Sequence, residues 1–127
     1  MKRKKRVDIE RNYNAGTMSK AEYFQKIRSA LRNAFRYWKP ALIALEQASR
    51  PSQNANKRIK KEYQCAQCKN WFKRADVQID HIIPCGSLRD FSDLEGFIKR
   101  MTPEDPKSFQ ILCRNDHKQK SLKERNQ

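Results

Sequence analysis

Hydrophobic residues in the first third of the chain recur every three or four positions. They are Phe24, Ile27, Leu31, Phe35 and Trp38. This spacing predicts an amphipathic helix with one apolar face. Ser19 and Glu22 form a capping-box pattern at its start, in which each side chain accepts a hydrogen bond from a free backbone amide. Pro40 is predicted to end or kink this helix, and residues 41–48 are predicted to form a short second one.

The second half of the chain is predicted to contain short strands and short helices. Two apolar runs predict strands, a second capping-box pattern predicts a helix that lies across the loop between them, and a polar segment predicts a C-terminal helix. These elements are strands near residues 76–83 and 109–113 and helices near residues 92–101 and 114–125. The predicted fold class is α+β, with an N-terminal helical segment followed by a small mixed module.

Composition divides the chain into four segments. Residues 1–18 are basic and polar and predict a flexible arm with a turn at 14–16, and residues 19–48 form the helical segment. Residues 49–61 begin with a polar stretch that contains a proline and has no hydrophobic periodicity, so they predict a linker. Residues 62–127 form the second module. A chain of 127 residues has room for one domain and an appendage.

Positive charge is concentrated in the first half of the chain. The formal net charge is +15. Residues 1–61 hold 17 Lys and Arg against 4 Asp and Glu, a net of +13, whereas residues 62–127 hold 12 against 10, a net of +2. This asymmetry predicts a basic N-terminal segment that binds the phosphates of a nucleic acid. The alternative is a basic surface that only keeps the protein soluble.

Three arginines recur at a spacing of four residues along the predicted helix, namely Arg28, Arg32 and Arg36. Like charges at this spacing repel one another unless an anion lies against them. The arginines are therefore predicted to contact DNA.

No segment of the sequence is predicted to contact a membrane. No apolar run approaches the roughly 20 residues that a membrane-spanning helix needs. The basic start leads into no apolar stretch of the kind found in a secretion signal. A cytoplasmic protein is therefore expected.

Four cysteines in a reducing compartment indicate metal binding rather than disulfides. Cys65 and Cys68, two residues apart, can hold one side of a tetrahedral zinc. Cys113 is expected to be a third ligand, and Asp116 occupies the position where a fourth cysteine is expected. Cys85 is a rival fourth ligand or a buried apolar residue. A site with weak or absent zinc is a further alternative.

Asp80 and His81 are adjacent at the end of the first predicted strand, and His117 lies in the C-terminal helix. A carboxylate and two histidines can hold one divalent cation beside a general base, which indicates a metal-dependent nuclease. His117 could instead complete a structural zinc site with the three cysteines, a common ligand set. His81 could equally be a structural histidine.

These motifs, in this order, resemble the HNH endonuclease family. The matching stretches are Cys65-x-x-Cys68, DHIIP at residues 80–84 and FQILCRNDHKQKS at residues 109–121. The resemblance covers residues 62–122 firmly and residues 29–40 more loosely. It is strongest to small bacteriophage proteins with zinc-binding cysteines and a basic helical N-terminus. It implies a zinc-supported ββα-metal fold, in a host cytoplasm if the chain is phage-encoded.

The resemblance also implies a role for each residue. His81 would be the general base that takes a proton from the attacking water, and Asp80 and His117 would bind one catalytic divalent cation such as Mg2+ or Mn2+. The ligands of one structural Zn2+ would be Cys65, Cys68, Cys113 and Asp116. The lysines that would contact flanking phosphates are Lys118, Lys120 and Lys123.

One position departs from the family pattern. Ser108 stands where the family has an asparagine that holds the loop presenting the base histidine. As a member of the catalytic group, Ser108 would replace part of that hydrogen bonding, or activity would be reduced.

The predicted function is hydrolysis of phosphodiester bonds in double-stranded DNA, by nicking or by double-strand cleavage. Homing and DNA packaging are both compatible with this activity, the second with phage packaging proteins as partners. The alternative is a catalytically inert, zinc-stabilised DNA-binding module.

Overall fold

The computed structural model describes residues 8–125. Its helical segment consists of α1 (Lys20–Ala34) and α2 (Lys39–Gln47). The predicted capping box begins α1: the Ser19 hydroxyl accepts a hydrogen bond from the Glu22 amide at 3.2 Å, and the Glu22 carboxylate accepts one from the Ser19 amide at 3.4 Å. Pro40 does not end α1. It lies in the first turn of α2, where a missing N–H leaves no helical hydrogen bond unmade.

Residues 13–18 of the predicted arm form a turn that contacts α1. Tyr13 and Met18 form an antiparallel bridge around the predicted turn at 14–16, in which Gly16 has a φ of 79°. The Tyr13 ring stacks on that of Tyr23 in α1, with ring centroids 4.7 Å apart. The prediction for residues 1–7, the most basic part of the arm, lies outside the described residues.

A three-stranded antiparallel sheet follows α2. Its strands are β1 (Ser49–Pro51), β2 (Lys61–Gln64) and β3 (Trp71–Phe72), in the order β1-β2-β3. Both ends of the predicted linker are therefore strands, with Ser49 opposite Tyr63 and Pro51 opposite Lys61. Proline is tolerated in β1 because β1 is an edge strand. The connection shortens to residues 52–60.

A second pair of strands and the last helix match the prediction. β4 (Val77–His81) pairs antiparallel with β5 (Phe109–Cys113), and α4 (Arg114–Arg125) follows β5 directly. The register sets Asp80 opposite Gln110 and His81 opposite Phe109. Because α4 packs on both strands, its side chains lie next to the end of β4.

The helix predicted near 92–101 is observed as α3 (Leu94–Met101). The capping box predicted for the start of this helix is not formed. The N-cap residue is Asp93, whose side chain makes no capping hydrogen bond. The preceding residues, Phe91–Asp93, form a 3-10 turn that Asp90 caps instead.

Two small cores stabilise the chain. In the first, Phe24 of α1 packs with three buried residues from α3 and the loop before it, namely Leu88, Phe97 and Met101. In the second, Cys65 packs with Leu112 and Cys113 of β5. The first core joins the N-terminal helix to the rest of the protein, so α1 forms part of the same packed body. Helices and small antiparallel sheets together confirm the α+β class.

Candidate functional site

Three cysteines and one aspartate converge between the two sheets. Cys65 and Cys68 lie on the turn between β2 and β3, Cys113 ends β5, and Asp116 lies in the first turn of α4. One ligand atom from each lies within 4.8 Å of all the others. Within residues 8–125, no other group of three or more such side chains comes this close. We call these four residues the cysteine–aspartate cluster.

Local hydrogen bonds fix the turn that carries Cys65. Its amide donates to the carbonyl oxygen of Asn70 at 3.0 Å, and its carbonyl oxygen accepts from the Lys69 amide at 3.0 Å. Lys69 has a φ of 64°, the left-handed conformation that closes so tight a turn. The next amide, that of Ala66, donates to Ile111 in β5 at 2.7 Å and ties the turn to the strand that ends at Cys113.

Thiols and a carboxylate interact directly in this cluster. Oδ2 of Asp116 accepts hydrogen bonds from the Cys65 thiol at 3.1 Å and the Cys113 thiol at 3.3 Å. These hydrogen bonds, the one from Cys65 first, lower the pKa of Asp116. Burial raises the pKa of Cys113 to about 11. A metal ion would take the place of the thiol protons, and sulfur and oxygen atoms this close can share one ion with bonds of about 2.0–2.3 Å.

The fourth member of the cluster is Asp116, not Cys85 or His117. Cys85 packs at the edge of the first core beside Phe24 and Leu88, where burial raises its pKa. His117 faces the opposite way, toward Asp80. All four cysteines are free thiols. The residues of this cluster lie close enough to bind a metal, as the cysteine spacing predicted.

A second polar group forms where β4 ends. Oδ1 of Asp80 lies 3.7 Å from Nε2 of His117, and the Asp80 side chain is about 10% exposed. His81 is the next residue of β4. Its Nε2 contacts the carbonyl oxygen of Met101 at 2.9 Å, and its ring packs on Phe109 with centroids 4.9 Å apart. Of the three residues that the sequence singled out, the structure thus places His117 beside Asp80, with His81 next to Asp80 in the strand.

Two further residues hold Asp80, and the sequence did not assign either one to this group. Nε2 of Gln110 donates to Oδ2 of Asp80 at 2.9 Å, across the β4–β5 pair. Nζ of Lys120 lies 2.9 Å from the same oxygen, 2.9 Å from the carbonyl oxygen of His81 and 2.6 Å from Oε1 of Glu124. The four-residue spacing of Lys120 and Glu124 was the signal that could have identified this ion pair.

Lys120 is therefore a partner of Asp80 rather than a free surface lysine. Burial lowers its pKa, but the hydrogen bonds to Glu124 and Asp80 outweigh burial and raise the pKa overall. Lys118 and Lys123, predicted with it to contact phosphates, are exposed. The three lysines thus separate into one that holds the site and two on the surface of α4.

Ser108 takes part through its backbone. Its carbonyl oxygen accepts a hydrogen bond from the Ile82 amide at 3.0 Å, which continues the strand pairing one step past His81. This contact supports the end of β4 on which His81 lies. Within the described residues, the Ser108 hydroxyl makes no hydrogen bond to another part of the protein.

Asp80 and His81 line a cleft of about 950 Å³. Arg32 and Arg36 line it too, whereas the Arg28 guanidinium donates to the carbonyl oxygen of Leu88 at 3.2 Å. Because α1 ends at Ala34, Arg36 lies beyond the helix and the three predicted arginines do not share one helical face. Two of them reach the cleft that contains the candidate base.

Comparisons with known proteins give no relative. No protein-family model, no curated protein and no solved structure matches this chain. In residues 8–125, none of the helices is long and apolar enough to span a membrane.

Proposed function

We propose that this protein is a metal-dependent endonuclease of the HNH type that hydrolyses phosphodiester bonds in double-stranded DNA. One observation carries the proposal: Asp80 and His81 line a single basic cleft, and His117 contacts Asp80 at 3.7 Å. Asp80 and His81 come from a strand and His117 from the helix packed on it, the elements that the family resemblance implies. The chemistry of each side chain supports the same conclusion.

Asp80 and His117 fit one divalent cation. Two ligand atoms 3.7 Å apart can both reach an ion at bond lengths of about 2.0–2.2 Å. Bound there, a divalent cation would polarise the scissile phosphate as a Lewis acid. Gln110 and Lys120 hold Oδ2 of Asp80 and leave Oδ1 toward His117. They are positioning residues, because they act on the carboxylate and not on the substrate.

His81 is suited to the role of general base. A carbonyl oxygen can only accept a hydrogen bond, so Nε2 donates to Met101, and in the neutral imidazole Nδ1 then keeps a lone pair. The Phe109 ring limits rotation of the imidazole. His81 would take a proton from the water that attacks phosphorus, while the bond to the 3′ oxygen breaks. General bases typically contribute about 10²- to 10⁴-fold to a rate.

An inert, zinc-stabilised DNA-binding module is the second candidate, and one contact favours it. The Lys120 ammonium lies 2.9 Å from the Asp80 carboxylate, so this carboxylate already has a cation supplied by the protein. In such a module, the cysteine–aspartate cluster would carry the metal that stabilises the fold.

A plasmid-nicking assay distinguishes the two candidates. We expect the full-length protein to relax supercoiled DNA with Mg2+ or Mn2+ and to lose this activity when the added cation is left out. His81→Ala should reduce the rate by about 10²-fold or more. Gln119→Ala is the matched control, since Gln119 is exposed on α4 and has no assigned role in binding metal or DNA. A His81→Ala protein that cuts at the rate of the wild type would overturn the assignment of the base, and a wild type without activity in any cation would favour the inert module.

A further inference from the structure

Four arginine side chains line the same cleft as Asp80 and His81. They are Arg32, Arg36, Arg89 and Arg125. They come from four separate segments: α1, the turn after α1, the loop between β4 and α3, and the end of α4. All four are exposed. The cleft is thus bordered by positive charge from several parts of the chain that are far apart in sequence.

These four guanidinium groups have no acidic partner in the part of the chain that the structure describes. None of the ion pairs formed there includes them. The acidic residues that line the cleft, Asp80 and Glu124, are both paired with Lys120, at 2.9 Å and 2.6 Å. Four like charges around one cleft repel one another unless an anion enters. The charge of the cleft therefore complements a ligand with several negative charges.

Local contacts support two of these arginines in their positions. The Arg89 amide donates to the Asp93 carboxylate at 3.1 Å, which fixes the loop before α3. The Arg36 guanidinium lies over the ring of Tyr37, 5.4 Å from its centroid. By contrast, the Arg28 guanidinium is occupied by the carbonyl oxygen of Leu88. Basic residues that hold the fold are thus distinct from those that border the cleft.

We propose that Arg32, Arg36, Arg89 and Arg125 form a clamp for consecutive phosphates of a nucleic-acid backbone, on either side of the phosphate that meets His81. A guanidinium donates two parallel hydrogen bonds to a phosphate, which an ammonium cannot do. A nucleic-acid backbone carries one negative charge per nucleotide, so its successive phosphates can each pair with one of the four guanidinium groups. The clamp rests on the proposed nuclease function and names the part of the substrate that the cleft recognises. Phosphate contacts carry no sequence information, so the affinity from the clamp is independent of sequence.

Binding measured without added Mg2+ or Mn2+ tests the clamp without relying on cleavage. The probe is a short fluorescent DNA duplex, titrated with full-length protein at several salt concentrations. The cleft variant carries Arg89→Gln and Arg125→Gln. The matched control carries Arg11→Gln and Arg58→Gln, two exposed arginines outside the cleft. Both variants lose two charges, so they differ only in where the charges were.

We expect the cleft variant to bind more than 10-fold more weakly than the wild type and to lower the salt slope by about two, near 0.9 for each lost phosphate contact. The control should lose less than about threefold. Equal losses in both variants, or a wild type that does not bind the duplex, would overturn the clamp. Thermal unfolding checks that both variants are folded, and Arg89→Lys with Arg125→Lys should recover only part of the affinity.

The two proposals fail in different ways. If the cleft variant loses affinity while the wild type never cuts with Mg2+ or Mn2+, the clamp stands and the nuclease proposal is wrong. If the wild type cuts but the cleft variant binds like the control, the nuclease proposal stands and the clamp is wrong.

Discussion

The cysteine–aspartate cluster and the group around Asp80 share β5 and α4 but are held in different ways. Cys113 and Asp116 serve the first, while His117 and Lys120, one and four residues further on, serve the second. In the first, the ligand atoms contact each other, with all four within 4.8 Å. In the second, Asp80 contacts a lysine and an amide as well as His117.

Under the proposed function, these two groups are metal sites of different kinds. Cys65 and Cys113 are buried in a small core whose other apolar residues are Leu112, Ala66 and Phe72, so the ion would contribute directly to folding. Asp80 already has a cation in the Lys120 ammonium, 2.9 Å away, so the protein does not need a metal there to fold. A cation at Asp80 would serve the reaction and could exchange, whereas an ion in the cysteine–aspartate cluster would be permanent.

The largest effect should follow from breaking the cysteine–aspartate cluster. Cys65→Ser removes a ligand that is fully buried. We expect zinc to be lost and the free energy of unfolding to fall by more than about 4 kcal/mol, the range that loss of a structural metal reaches. Thermal unfolding by circular dichroism and zinc content by mass spectrometry measure both effects.

Cys85→Ser is the control for this prediction, because Cys85 is a half-buried thiol outside the cluster. It should keep one zinc and lose little stability. If Cys85→Ser lost zinc while Cys65→Ser retained it, the ligand set would be wrong.

Local patterns in the sequence predicted the elements that carry both sites. Cys65 and Cys68 were identified by their spacing, and β4, β5 and α4 by short apolar runs followed by a polar segment. These signals lie within a few residues of one another, so they can be read without knowing how distant segments pack.

Contacts between distant segments could not be predicted in the same way. Lys118, Lys120 and Lys123 look alike in the sequence, and only the packing of α4 on β4 directs one of them to Asp80. β1 was assigned to the linker because its three residues have no alternation and include Pro51. Pairing with β2, and not local propensity, makes it a strand. Arg89 was not singled out, since its position at the cleft depends on the core that Phe24 forms with Leu88.

An intermediate effect should follow from removing the lysine that pairs with Asp80. Lys120→Met leaves the carboxylates of Asp80 and Glu124 without their shared cation. We expect Mn2+ to bind on the order of tenfold more tightly, since losing the ammonium removes about 1.4 kcal/mol of repulsion between two partly exposed cations. Electron paramagnetic resonance of free Mn2+ measures the affinity directly.

Lys123→Met is the matched control, an exposed lysine on the same helix. It should leave the Mn2+ affinity unchanged within about twofold, because surface charges are largely screened. Weaker binding by Lys120→Met would mean that Lys120 orients Asp80 for the cation more than it competes with it. Lys120 would then support cation binding at Asp80, and the Asp80 group would resemble the cysteine–aspartate cluster more closely than we propose.

The remaining effect, on zinc affinity alone, should come from Asp116→Cys, which keeps four ligands in the cysteine–aspartate cluster. Asp116 contributes the one oxygen among three sulfurs, and its Oδ2 lies within 3.3 Å of both the Cys65 and the Cys113 sulfur. A thiolate is a softer ligand that zinc favours beside other thiolates. We therefore expect the zinc affinity to rise by about tenfold, near 1.4 kcal/mol, while DNA binding and cleavage stay as in the wild type.

Competition with a zinc chelator measures the change in zinc affinity. Asp116→Asn, which keeps the shape of the side chain but loses its charge, should lower the zinc affinity instead. No response to either substitution would exclude Asp116 as a ligand and leave the three cysteines with a partner from outside the cluster.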